Sequence, residues 1–233
     1  MKLFYNKLCK QQSYFKVDIK GAYIMNTKKV YLYVFDTMSD WEIGYLTAEL
    51  NSGRYFKKGV QPIQVITVGN SKNPITTMGG LKVLPEISLD ECNLKTTDVL
   101  VLPGGFTWTE SIHDTVLEKT EKALMQGTVV AAICGATLGL AKRGLLNSRI
   151  HTSNDLEYLK MVVPNYIGEK YYKFESAVTD ENLITASGIA PLEFTMQVLK
   201  VLDVFKSETL QAWFNVYKTQ EPKYFFELMS SMK

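Results

Sequence analysis

Residues 128–146, TVVAAICGATLGLAKRGLL, pass from an apolar run into a helix-forming run with a cysteine at the joint. Thr128 to Ile133 has the continuous apolar character of a strand buried on both faces. The residues from Gly135 to Arg143 have the composition of a helix, closed by Gly144. A central strand that breaks directly into a helix is the layout of a nucleophile elbow. Cys134 then stands above the carboxyl edge of the sheet, beside the positive end of the next helix, which favours a thiolate. The N–H of Gly135, with one from Gly104 or Gly105, would form an oxyanion hole. On these residues alone, Cys134 also reads as one more small buried apolar side chain.

Working outward, strands alternate with helices, as in a parallel sheet covered on both faces. Val30 to Phe35 and Gln64 to Val68 read as strands, with a helix between them from Trp41 to Asn51. Pro74 to Leu84, with Gly79-Gly80 at its middle, reads as a hairpin arm. Asp98 to Leu102 is a core strand ended by Pro103-Gly104-Gly105. Thr107 and Glu110 have the spacing of a capping box for a helix running to Gln126. Arg149 to Ser153 reads as a strand, Asp155 to Val162 as a helix, Ala177 to Ala186 as a hairpin and Pro191 to Leu202 as a helix. Glu208 to Tyr224 has helical spacing of its large apolar residues, as one amphipathic tail.

The chain has 233 residues, 46% hydrophobic and 21% charged, the composition of one large globular domain. Domain boundaries are expected at 1–25, 26–205 and 206–233. The first segment reads as an N-terminal extension of unknown role, either an appendage or a misassigned start ahead of Met25. Lys and Arg total 26 against 24 Asp and Glu, too even to indicate a nucleic-acid partner. No apolar run approaches a membrane span of about 20 residues. The three cysteines are widely spaced without a CxxC, so neither a disulfide framework nor zinc is indicated, and a cytoplasmic location is expected. No phosphate loop or metal-ligand spacing occurs, and no cofactor is expected.

DVLVLPGG (98–105), AAICGATLGLAKRGLLNSRIHTSN (131–154) and ENLITASGIAPLEFTMQVL (181–199) resemble, in order and spacing, the ThiJ/PfpI family of the class I glutamine amidotransferase-like superfamily. That family includes intracellular proteases and the parkinsonism-associated deglycase. The resemblance covers Lys29 to Asp203 and is nearest to bacterial intracellular proteases or amidases. It implies an α/β, flavodoxin-like three-layer sandwich with a mostly parallel central sheet, and Cys134 as nucleophile. It also implies a carboxylate beside the cysteine. The matching position is Glu42, protonated because it cannot share the negative charge of a thiolate, with Asp40, a helix cap, as its neighbour. Gly188 and Glu193 match the closing motif.

The chain departs from the family at its histidines, of which it has two. The residue after the nucleophile is Gly135, and the position of the other family histidine falls on Asn154. His151 is expected to be a surface or packing residue, whereas His113, near the pocket rim, could reach the site. Trp41 and Trp108 would wall the pocket or belong to the core. A homo-oligomer, such as a dimer, is implied by resemblance and could lend an imidazole across its interface.

The leading expectation is a cysteine-dependent hydrolase-like enzyme acting on an amide, peptide or glycated adduct, small molecule or peptide. Its rivals are a non-catalytic redox or stress-response protein, a deglycase or glyoxalase using Cys134 and Glu42, and a glutaminase-like subunit.

Overall fold

The computed structural model describes residues 28–232; the expected extension at 1–25 lies outside the described residues. A seven-stranded sheet forms the centre, in the order β5 (Ile87–Ser88), β2 (Val65–Gly69), β1 (Val30–Tyr33), β6 (Val99–Leu102), β7 (Val129–Ile133), β9 (Leu183–Ala186), β8 (Ala177–Asp180). Every pairing is parallel except β8 with β9. The inner strands VYLY and VLVL are buried at every position, as continuous apolar runs between two helical layers must be. The result is an α/β, flavodoxin-like sandwich.

Helices α1 (Gly44–Ser52), α2 (Asp114–Met125), α3 (Ala136–Lys142), α4 (Leu156–Val162) and α5 (Pro191–Leu202) flank the sheet. The chain leaves β1 toward β2 on one side, and later returns through β6 on the other. The carboxyl ends of β1, β6 and β7 therefore face a crevice at the switch point of the strand order, where open α/β sheets bind ligands. A small antiparallel hairpin, β3 (Ile75–Thr76) with β4 (Lys82–Val83), stands apart from the main sheet at the same edge.

Three local expectations are corrected. Arg149 to Ser153 forms no strand; it makes one bridge, His151 with Tyr172, because the neighbouring position beside β9 is taken by β8. The Thr107/Glu110 capping box does not form: Thr107 Oγ1 instead bonds His113 Nε2 at 2.9 Å, and a short 3₁₀ turn precedes α2. The C-terminal stretch is two helices, α6 (Ser207–Thr219) and α7 (Pro222–Ser231), parted at Gln220, whose φ of 60° ends the first. Trp213 anchors α6 to the body, fully buried, with Nε1 donating to Glu49 Oε1 on α1 at 3.0 Å.

Candidate active site

Cys134 sits between β7 and α3 with φ of 59°. Left-handed backbone at a non-glycine residue costs on the order of 1–3 kcal/mol and is kept where the surroundings enforce it. Here the Cys134 N–H donates to the Ala186 carbonyl at 2.9 Å, and its own carbonyl accepts from Thr137 N and Oγ1 at 3.0 and 2.6 Å. The strand end and the first helical turn thus fix the elbow, and Sγ is lifted over the sheet edge.

Glu42 arrives from the other side, on a 3₁₀ turn over Asp40–Glu42 that follows β1. The loop after β6 meets this turn: Ser39 N–H donates to the Gly104 carbonyl at 2.9 Å, and the Gly104 N–H donates to Glu42 Oε2. Glu42 is fully buried, and its Oε1 has no hydrogen-bond partner of ordinary geometry among the described residues. Two glycines make room for the pair. A Cβ on Gly104 would lie 2.6 Å from Glu42 Oε1 and 2.7 Å from Cys134 Cβ; one on Gly188 would lie 2.7 Å from Sγ and 3.2 Å from Oε1.

Burial pushes the Glu42 carboxyl up to about 7, with the Gly104 N–H and the side chains of Cys134 and Ser39 pulling the other way. Cys134 is pushed up to about 11, by burial first and by the Glu42 charge second, while Asn154 and the Gly135 N–H favour the ionised sulfur. Burial and the Glu42 charge both oppose the thiolate that the helix terminus was expected to favour. Desolvation at the crevice floor works against the helix terminus, and the raised carboxyl is poised to gain or lose a proton near neutral pH.

Asn154 Nδ2 donates to Sγ at 3.3 Å, and the amide is held by the Gly188 N–H donating to its Oδ1 at 2.8 Å. Gly105, Gly135, Trp41 and Trp108 line the cavity around Sγ. The Gly104 N–H is committed to Glu42, which removes Gly104 from the oxyanion hole. Gly105 and Gly135 remain, and the Gly105 N–H has no acceptor among the described residues. Trp41 Nε1 donates to the Gly188 carbonyl at 3.2 Å, tying the rim to the closing loop, and Trp108 Nε1 donates to the Pro103 carbonyl at 2.9 Å.

His113 does not reach the pocket. It is fully buried behind Trp108, stacked on it at 4.5 Å between ring centroids, with Nδ1 at 3.0 Å from the Tyr33 hydroxyl. Burial pushes its imidazole down to about 4, so it is neutral packing. His151 is also fully buried, with Nε2 2.6 Å from the Tyr166 hydroxyl and Nδ1 2.7 Å from the Arg149 carbonyl. Since the chain has no third histidine, a second copy has no surface imidazole to lend among the described residues.

The cavity also uses residues that the sequence reading passed over: Ser39, Met78, Phe106, Thr109, Leu138, Tyr158 and Val162. Tyr158 and Val162 stand four apart on α4 and so share a face, a spacing visible in the sequence. Met78 comes from the hairpin, which gave no local signal of its position. Among the described residues, no group of three or more His, Cys, Asp or Glu side chains gathers as a metal would require, and no helix is long and apolar enough to cross a membrane.

A model of the DJ-1/PfpI family matches residues 28–201. The chain is 62% identical over 208 residues to the protein named "Uncharacterized protease YoaZ" of Bacillus subtilis (strain 168), covering 89% of this chain and 99% of that one. More distantly, it is 23% identical over 145 residues to "Glutathione-independent glyoxalase DJR-1.2" of Caenorhabditis elegans, covering 60% of this chain and 74% of that one. The crystal structure of a ThiJ/PfpI family protein from Bacillus anthracis superposes with a TM-score of 0.86 at 63% identity, covering 88% of this chain and 97% of that one.

Proposed function

This chain belongs to the DJ-1/PfpI family, and from that premise we propose that it is a cysteine-dependent, hydrolase-like enzyme acting at a carbonyl carbon, with Cys134 as nucleophile and Glu42 as its proton carrier. The observation that carries this reading is the strained Cys134 elbow set against a buried Glu42 carboxyl with one unpartnered oxygen. A carboxyl near 7 is matched to proton transfer at neutral pH.

For an amide, Sγ bonds to the carbonyl carbon while the thiol proton passes to Glu42 Oε1. The resulting oxyanion is held by the N–H groups of Gly105 and Gly135. As the C–N bond breaks, Glu42 returns the proton to nitrogen. Glu42 then takes a proton from water, which hydrolyses the thioester and restores the thiol.

A second reading, deglycase or glyoxalase-type action on reactive carbonyls, is favoured by one specific fact. Neither histidine lines the cavity, so a single group serves every proton transfer. An aldehyde or α-dicarbonyl asks less of that group than a peptide does, because no amine has to be expelled. The name of the C. elegans relative points the same way. Non-catalytic redox sensing would need the thiolate, which burial and the Glu42 charge both disfavour.

The test is turnover of peptide anilides and of α-dicarbonyls by the wild-type chain and by Cys134→Ala. Loss of all turnover to background in the variant is expected; activity retained without the sulfur would overturn the assignment.

A further inference from the structure

The cavity above Cys134 measures about 370 Å³ and is divided by chemistry. At one end lie Cys134, Gly105, Gly135 and Asn154, the residues that would meet a carbonyl. The rest of the wall is mainly apolar, with Trp41, Met78, Phe106, Leu138, Tyr158 and Val162, and its other polar side chains, Ser39 and Thr109, are uncharged. Among the described residues, no Lys, Arg, Asp or Glu side chain lines it. Three charged residues beside the wall make hydrogen bonds away from it, although one oxygen each of Asp40 and Glu42 is buried without a partner among the described residues. Lys142 Nζ donates to the Thr109 carbonyl at 2.8 Å, Asp155 accepts from the Tyr158 N–H at 2.7 Å, and Asp40 accepts from the Gly79 N–H.

That volume equals roughly a dozen waters at about 30 Å³ each, so a two- or three-carbon carbonyl compound would leave most of it filled with solvent against apolar walls. A charged substituent would lose hydration there with no partner to replace it. A neutral apolar one would gain by displacing the solvent. The wall is also partly independent of the sheet. Met78 sits at the hairpin tip, placed by its own N–H on the Met38 carbonyl at 2.9 Å and by Gly79 on Asp40.

We propose that the substrate carries, next to its reacting carbonyl, a neutral apolar group of about benzyl or isobutyl size, and that Met78, Phe106, Tyr158 and Val162 determine this preference. The proposal rests on the carbonyl-addition reading and narrows it: small hydrophilic dicarbonyls and substrates charged beside the carbonyl are poor.

The preference can be read without turnover. Alkylation of Cys134 in the full chain is timed by peptide mass spectrometry with iodoacetamide, N-phenyl iodoacetamide and iodoacetate, each rate divided by that of a free small thiol. The aromatic reagent is expected to gain about tenfold over iodoacetamide, and the anion to fall below it, the scale at which apolar pockets discriminate. Val162→Lys, at a partly exposed position, should abolish the aromatic gain and favour the anion, and Met78→Ala should reduce the gain. Equal normalised rates, or an anion preference in the wild-type chain, overturn the proposal. In parallel, phenylglyoxal and glyoxal are compared as substrates. An alkylation preference without turnover of any carbonyl substrate would preserve the apolar site and defeat the enzymatic reading, whereas faster turnover of glyoxal with no alkylation preference would do the reverse.

Discussion

Asn154 occupies the place beside Cys134 where an imidazole would otherwise be expected: its Nδ2 lies 3.3 Å from Sγ, and its Oδ1 is held by the Gly188 N–H at 2.8 Å. The second bond fixes which end of the amide faces the sulfur. Asn154 can donate to a thiolate or to an oxyanion, but it cannot carry a proton away.

Asn154→Asp replaces that donor with an acceptor of nearly the same shape and adds a negative charge to a pair that already holds one reluctantly. The Cys134 thiol should rise further, and its alkylation rate at pH 8 should fall about tenfold or more, since each pKa unit is a factor of ten in thiolate. Asn154→Ala, which loses the donor without the charge, should fall less. The pH dependence of iodoacetamide labelling checks both.

The Glu42 carboxyl is held up to about 7 in the folded protein, against an ordinary value of 4.5. Between these values the folded chain binds more protons than the unfolded one, so this residue's contribution to stability is fully present below about pH 4.5 and is lost as pH rises through 7. Relative to Glu42→Gln, the wild-type chain should lose on the order of 3 kcal/mol across that window. Urea unfolding of the two proteins at pH 4.5 and pH 8 measures the difference. In catalysis the sign is opposite. The carboxylate must be present to take the thiol proton, so kcat/KM should climb with pH up to about 7, and that limb should vanish in Glu42→Gln.

Gly188→Ala tests the packing of the pair. Its Cβ would stand 2.7 Å from Cys134 Sγ and 2.9 Å from Cys134 Cβ. The φ at Gly188 is ordinary, so the effect is contact and not backbone strain. Either the sulfur or the closing loop must move, and a displacement of that size is expected to cost about a hundredfold in kcat with a modest change in Tm. Steady-state kinetics beside a thermal melt separate the two.

The core of the fold was legible because β1, β6 and β7 are uninterrupted apolar runs, each ended by a residue type that stops a strand: Asp36, Gly104 and Gly135. Cys134 was legible for the same reason, since a strand broken by Cys-Gly before a helix has few other readings. Glu42 needed the resemblance, because nothing in DTMSDWEIGY says that its third acidic residue is the one turned inward. What opposes the thiolate was not legible. A helix terminus can be read from sequence, but the depth of burial that opposes it depends on segments far apart in the chain, Gly104 and Gly188 among them. The oxyanion donors were misassigned at Gly104 for a related reason, as its N–H is consumed by a side chain sixty-two positions earlier. Met78 was invisible because hairpins are local but their docking is not.

Both imidazoles are sealed in the interior, one behind Trp108 and one against Tyr166, and the sulfur and the carboxyl reach the crevice from a single chain. On the proposed mechanism, the nucleophile and the proton carrier of one site therefore come from one polypeptide. Inactive subunits lacking the sulfur, mixed with inactive subunits lacking the carboxyl, are then expected to restore nothing to one another, and the mixture to stay as silent as its parts.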